Sequence, residues 1–152
     1  MRPQLEFVLL SALAGGVTVT LSTVIDLNGQ RAPWSDSLKW LLPALFGAAL
    51  GAWWSERWQR RRAAQAPVRQ AGGMAVRTVV LSALGYLLAV AVYLLVALLA
   101  SGHGQMLRPE VVLLLLVFGC VPLLWAAAPF SVIEYFLCRR YLRRARVLAG
   151  SP

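Results

Sequence analysis

The sequence is poor in the residues that build catalytic and metal-binding sites. Its 152 residues include one histidine, two cysteines and six acidic residues. His103 has no second histidine to complete a zinc site, and no C-x-x-C pair suggests a thiol oxidoreductase. Dinucleotide-binding, phosphate-loop, nucleophile-elbow and metalloprotease motifs are missing as well. We therefore predict a non-enzymatic protein that requires no cofactor and no metal.

The two cysteines, Cys120 and Cys138, fall in one continuous apolar segment. If this segment is helical, a rise of about 1.5 Å per residue separates them by roughly 27 Å. A disulfide needs two Cα atoms within about 7 Å of each other. We expect two free thiols that pack as small apolar side chains.

Apolar residues and arginine are what the chain has in excess. Hydrophobic residues make up 59% of the sequence, its net charge is +9, and its mean hydropathy is +0.67. The apolar residues form long uninterrupted segments, which is typical of membrane proteins. The arginines follow the ends of these segments, a placement that favours membrane orientation and anionic lipid over nucleic acid.

Four apolar segments approach or reach the roughly 20 residues that a helix needs to cross a bilayer. They predict an all-α fold, a polytopic membrane protein whose four transmembrane helices form two hairpins within one domain, residues 1–152. The alternative for the first segment is a signal peptide whose cleavage site is at residues 12–14, but the apolar run continues well beyond this site. The predicted spans lie at about 5–25, 38–54, 78–100 and 111–138, with a basic loop at 55–76 and a basic tail at 139–152.

The basic residues are distributed unequally between the two sides of this topology. Of the fifteen, twelve lie on the side that holds the termini and the 55–76 loop, with Arg77 at its edge. The other three are Arg31, Lys39 and Arg108. The positive-inside rule therefore predicts cytoplasmic termini. The short loops and the preference for arginine over lysine suggest a bacterial inner membrane.

Small residues in the first two segments indicate close helix packing. The second segment contains a G-x-x-x-G motif, which favours a close contact either within the chain or between copies. Chance occurrence in a glycine-rich protein is the alternative. The candidate packing residues are Gly15, Gly16, Gly47 and Gly51.

Glu134 is the acidic residue that lies deepest within an apolar segment. About twenty residues of membrane counted from Val111 end near Ser131, so we expect Glu134 at the headgroup level, paired with a nearby arginine. A lipid or substrate contact is the alternative, because an intramembrane carboxylate usually marks a functional site. Thr18 and Ser22 complete a possible polar site.

Arginines follow the second and fourth segments in two similar runs, each with the pattern Arg–aromatic–x–Arg–Arg. The similarity indicates either a duplicated hairpin or, as we favour, convergence at two cytoplasmic helix ends. Arginine forms forked contacts with phosphate, and each one attracts anionic lipid by about 1 kcal/mol. The alternative is that these arginines only determine the orientation of the protein in the membrane. The candidate contact residues are Arg57, Arg60, Arg61, Arg62, Arg140, Arg143 and Arg144.

These features predict a membrane scaffold or accessory subunit that packs against partner transmembrane helices or against itself. Its arginines contact anionic lipid headgroups or an acidic partner, and nucleic acid is not expected. The alternative function is a small transporter, flippase or channel that works as a homo-oligomer. An enzyme for lipid-linked substrates is disfavoured by the lack of paired carboxylates and histidines.

Overall fold

The computed structural model describes residues 3–30, 38–63, 71–100 and 109–150, all of them α-helical. The four helices confirm the predicted all-α class. In chain order they are α1 Pro3–Gln30, α2 Leu38–Ala63, α3 Ala71–Ala100 and α4 Pro109–Gly150.

Helices α2 and α4 extend well beyond the apolar segments from which they were predicted. The basic residues assigned to a loop from residue 55 continue α2 as far as Ala63, and those assigned to the tail continue α4 as far as Gly150. Arginine, alanine and glutamine are strong helix formers, so an arginine-rich run after an apolar segment prolongs the helix. The part of the predicted loop at 64–70 lies outside the described residues.

Three of the described helices contain stretches that are long and apolar enough to cross a membrane. These are Pro3–Ile25 in α1, Ala71–Ala100 in α3 and Cys120–Val147 in α4. By length and composition they fit a multi-pass membrane protein. Helix α2 is not among them, because its apolar part is confined between Lys39 and Glu56 and is shorter than a usual span.

The helices pack as a ring in chain order, with α2 between α1 and α3, and α4 against both α3 and α1. Gly47 faces Tyr86 while Gly51 faces Ser82, so α2 and α3 run in opposite directions. Helix α4 has 42 residues and is therefore roughly 63 Å long. This length is about twice the approximately 30 Å thickness of the hydrocarbon core of a bilayer.

Large apolar side chains cover the outside of the ring, and its interior holds, among the described residues, eight polar side chains beside apolar ones such as Phe7, Met74 and Phe130. On α1 the exposed apolar residues recur every four positions, and α3 repeats this pattern. Soluble proteins place such residues inside, and a lipid environment accounts for the reversal. The α1 residues are Leu5, Leu9, Leu13, Val17, Leu21 and Ile25, and the buried polar residues are Ser11, Thr18, Thr23, Ser55, Glu56, Thr78, Ser82 and Glu134.

Candidate functional site

The four glycines singled out in the sequence all lie at contacts between helices of this chain. Gly15 and Gly16 face α2, whereas Gly47 and Gly51 face α3. A Cβ atom added at Gly47 would lie 2.5 Å from the backbone nitrogen of Tyr86, and one added at Gly15 would lie 2.5 Å from the Cβ of Ala48. Because real side chains do not approach so closely, glycine at these positions sets the spacing of α2 from both neighbours.

The two arginine clusters meet at one end of the bundle, which we call the arginine end. There the Tyr141 hydroxyl on α4 donates a 3.0 Å hydrogen bond to the Glu56 carboxylate on α2. The Arg140 guanidinium lies 2.7 Å from the Glu6 carboxylate on α1, and Arg144 pairs with the same carboxylate. Charge pairs therefore join the start of α1 to α4, and a hydrogen bond joins α4 to α2.

Glu56 is a buried acid that pairs with an exposed base. Its side chain is 3% exposed, whereas that of its partner Arg60, four residues later, is 56% exposed. The hydrogen bond from the guanidinium to this carboxylate raises the pKa of Arg60 above its ordinary value. Arg60 thus remains positively charged at the surface while it neutralises Glu56.

Tryptophans lie between the arginines along the exposed face of α2. The Arg57 guanidinium lies 5.4 Å from the centre of the Trp53 ring, and those of Arg62 and Arg77 lie 5.3 and 5.5 Å from that of Trp58. These are cation–π distances. These contacts were not predicted, although the spacing of four residues from Trp53 to Arg57 and from Trp58 to Arg62 is a signal for them in the sequence.

These side chains form a wide groove, the tryptophan–arginine groove, with a volume of about 910 Å³. It is lined by Trp53, Trp54, Arg57, Trp58, Arg61, Arg62 and Leu81. A second groove of about 460 Å³ lies between the start of α3 and the end of α4, with Ala71, Arg139, Leu142, Arg143 and Arg146 as its lining. Both grooves combine apolar walls with guanidinium groups, the combination that suits an amphipathic ligand.

Glu134 lies inside the bundle and not at its surface. Its side chain is fully buried, and within the described ranges neither carboxyl oxygen has a hydrogen-bond partner. The expected ion pair with an arginine is therefore not formed, and Arg140 and Arg144 pair with Glu6 instead. The reason is the helix face: Glu134 belongs to the inward stripe of α4, which comprises Ala126, Phe130, Glu134, Cys138 and Leu142.

Five buried side chains from all four helices form a group that we call the polar layer: Glu134, Ser11, Ser55, Thr78 and Cys138. From α1, the equally buried Ser11 hydroxyl lies beside Glu134 but not in hydrogen-bonding geometry. The Thr78 hydroxyl on α3 lies 2.9 Å from the Ser55 hydroxyl on α2 and 4.0 Å from the Cys138 thiol on α4. Both cysteines are free.

A cavity of about 50 Å³ lies on the bundle axis and is lined by all four helices. Its lining includes Thr18, Ser82, Tyr86 and Phe130. The Thr18 hydroxyl donates within α1, to the carbonyl oxygens of Ala14 and Gly15 at 2.8 and 3.1 Å. Thr18 thus lies at the cavity, whereas Ser22 is half-buried outside its lining.

The residues described contain no group of three or more histidine, cysteine or acidic side chains that could hold a metal ion.

No protein-family model, curated protein or solved structure matches the chain.

Proposed function

We propose that this protein is a non-enzymatic scaffold of the bacterial inner membrane that binds anionic phospholipid at its arginine end. The observation that carries the proposal is the tryptophan–arginine groove, in which indole rings and guanidinium groups alternate at the end of an apolar bundle. Indoles favour the membrane–water interface. Guanidinium groups bind phosphate in a forked geometry. A phospholipid offers its acyl chains and its headgroup to these two chemistries at once.

In this proposal all four helices cross the membrane as two hairpins, with the arginine end in the cytoplasm. The support for a crossing by α2 is its contact with α1 and α3 through the four glycines over its apolar length. The excess of arginine at this end supports the orientation.

The topology is tested with single cysteines in a Cys120→Ser/Cys138→Ala background. A membrane-impermeant maleimide added to intact cells should label Ser35→Cys. It should label Gln65→Cys only after the membrane is permeabilised. Equal labelling of both positions in intact cells would show that α2 does not cross.

Lipid binding is tested by exchanging Arg57, Arg61 and Arg62 together for glutamine. The wild type, reconstituted with equal amounts of phosphatidylglycerol and phosphatidylcholine, should retain phosphatidylglycerol preferentially in native mass spectrometry. At about 1 kcal/mol per arginine, the triple variant should lose roughly a hundred-fold in preference. Lys39→Gln, at the other end of α2, is the matched control and should keep it.

An unchanged preference in the triple variant would contradict the lipid proposal and would leave an acidic cytoplasmic protein as the partner of the arginines. The four glycines face helices of the same chain. A partner membrane protein, or a second copy, would therefore contact the large apolar residues on the outside of the ring.

A small transporter or channel is the second candidate function. The observation that favours it is the axial cavity, which all four helices line and whose lining residues include Thr18 and Ser82. Light scattering of the detergent-solubilised protein separates the two candidates. A stable homo-oligomer would favour the transporter, and a monomer that carries lipid would favour the scaffold.

A further inference from the structure

The structure contains a carboxyl group that none of the preceding functions uses. Glu134 is fully buried, and its two oxygens have no hydrogen-bond partner in the described part of the chain. Burial of an ionised carboxylate without a partner costs far more than burial of the neutral acid. Within membrane-spanning helices, such groups are rare and mark functional sites by default.

Among the described residues, no positive charge faces Glu134 from the helices packed around it. Ser11 faces it from α1, and the Cys138 thiol lies one turn further along α4. Beyond the thiol are Thr78 from α3 and Ser55 from α2, which contact each other. Among these groups of the polar layer, the thiol is the one that can titrate besides the carboxyl.

The two acidic residues of the arginine end are both paired with arginines. Glu6 pairs with Arg140 and Arg144, and Glu56 pairs with Arg60. Arg60, Arg140 and Arg144 are therefore already paired with other carboxylates. Arg140 and Arg144 also lie one or more helical turns along α4 from Glu134.

The neighbouring Ser11 hydroxyl can both donate and accept a hydrogen bond, and a neutral carboxylic acid also offers one donor together with acceptors. A carboxylate offers acceptors alone.

The axial cavity begins one helical turn from this carboxyl. Gly15, Ser82 and Phe130 line it, and each lies four residues from a member of the polar layer: Ser11, Thr78 and Glu134. Its volume of about 50 Å³ exceeds the roughly 10–15 Å³ that one water molecule requires. The Ser82 side chain lies at this cavity, and its buried hydroxyl has no hydrogen-bond partner among the described residues.

We infer that Glu134 is a proton-binding site, held as a neutral carboxylic acid in the folded bundle and exchanging its proton with water through the axial cavity. On release, the proton passes to cavity water and a carboxylate remains on Glu134. The inference is independent of lipid binding at the arginine end. It would supply the transporter hypothesis with a group able to couple to protons.

Infrared difference spectroscopy of the full chain in lipid vesicles tests this inference. At neutral pH, the wild type minus Glu134→Gln spectrum should show the carbonyl stretch of a protonated carboxylic acid. The band should shift to lower frequency in D2O, because the proton exchanges. Glu110→Gln, which removes an exposed carboxyl at the start of α4, is the matched control and should leave the band unchanged.

A second pair of variants locates the band. Ser11→Ala removes the hydroxyl beside the carboxyl and should move the band, whereas Ser22→Ala on the same helix should not. If Glu134→Gln does not fold, Glu134→Asp keeps the acid and should retain a displaced band. Absence of the band from the wild type, its persistence in Glu134→Gln, or its failure to shift in D2O would overturn the inference.

Discussion

Two glutamates are buried in this bundle, and they differ in their hydrogen-bond and charge partners. Glu56 at the arginine end accepts a hydrogen bond from Tyr141 and pairs with Arg60. Glu134 in the polar layer has neither a cation nor a hydrogen-bond donor among the described residues. Burial alone therefore does not define the role of an acidic residue in a membrane protein, because the partners decide whether it stabilises the fold or remains available for chemistry.

The same contrast extends to the two regions around these residues. The arginine end is held by charge pairs between α1 and α4 and by a hydrogen bond from Tyr141 on α4 to Glu56 on α2. The middle of the bundle is held by the close approach of backbones at glycines, while several hydroxyls near the axis lack partners. Electrostatic interactions should therefore dominate the stability of the first region and steric fit that of the second.

The largest effect is expected from Gly51→Leu in the middle of the bundle. A side chain at this position would overlap Ser82 on α3, so α2 and α3 must separate. We expect a loss of about 3 kcal/mol or more. In a Cys120→Ser background, a thiol-reactive dye reports thermal unfolding through the buried Cys138. Gly72→Leu is the control, because a Cβ atom there meets nothing within 4 Å. Equal stability of the two variants would contradict steric control of the middle.

Glu56→Ala should have the next largest effect. It leaves the Tyr141 hydroxyl without its acceptor and Arg60 without its carboxylate, at an expected cost of about 1–3 kcal/mol. The same dye assay measures the change. Gln59→Ala, on the same turn of α2, controls for the loss of side-chain length. Indistinguishable unfolding of these two variants would mean that the pairs of Glu56 do not stabilise the fold.

Glu6→Gln should have a smaller effect that depends on salt. Its partners Arg140 and Arg144 are more than half exposed, and such pairs contribute at most about 1 kcal/mol. Because salt screens exposed charges, the difference from the wild type should be largest at low ionic strength and should vanish near 1 M salt. A difference that persists in high salt would assign Glu6 to packing and not to charge.

Glu134→Gln should have the smallest effect, about 0.5 kcal/mol or less. Glutamine has nearly the shape of a neutral carboxylic acid, and no charge pair is broken by the exchange. Measured beside Glu56→Gln, this variant sharpens the comparison, since the Glu56 exchange removes the charge partner of Arg60. A larger loss at Glu134 than at Glu56 would reverse the roles assigned to the two acids.

The fold class was predictable because length and hydropathy act over whole segments. Twenty apolar residues predict a helix whatever packs against it, and glycine spacing indicated where helices approach. The position of Glu134 was not predictable in the same way. Its depth was counted along the chain from Val111, whereas its environment depends on which face of α4 points inward. That face is decided by packing against α1 and α3.

The arginine end shows a similar limit. The sequence indicated which arginines cluster, but Glu6 and Arg140 are 134 residues apart, so no local pattern could pair them. No role was predicted for Trp53 and Trp58, whose rings lie beside the guanidinium groups of Arg57 and Arg62. The axial cavity depends on all four helices together, and no single segment predicts it.

The pairing of Glu6 with Arg140 and Arg144 has a consequence for how the chain is made. It joins the first turns of α1 to the last turns of α4, across 134 and 138 residues. Until α4 has been synthesised, the buried hydroxyls of Ser11 and Thr78 lack the Glu134 and Cys138 side chains that lie beside them in the folded bundle. The polar layer is therefore complete only after the final helix has been made.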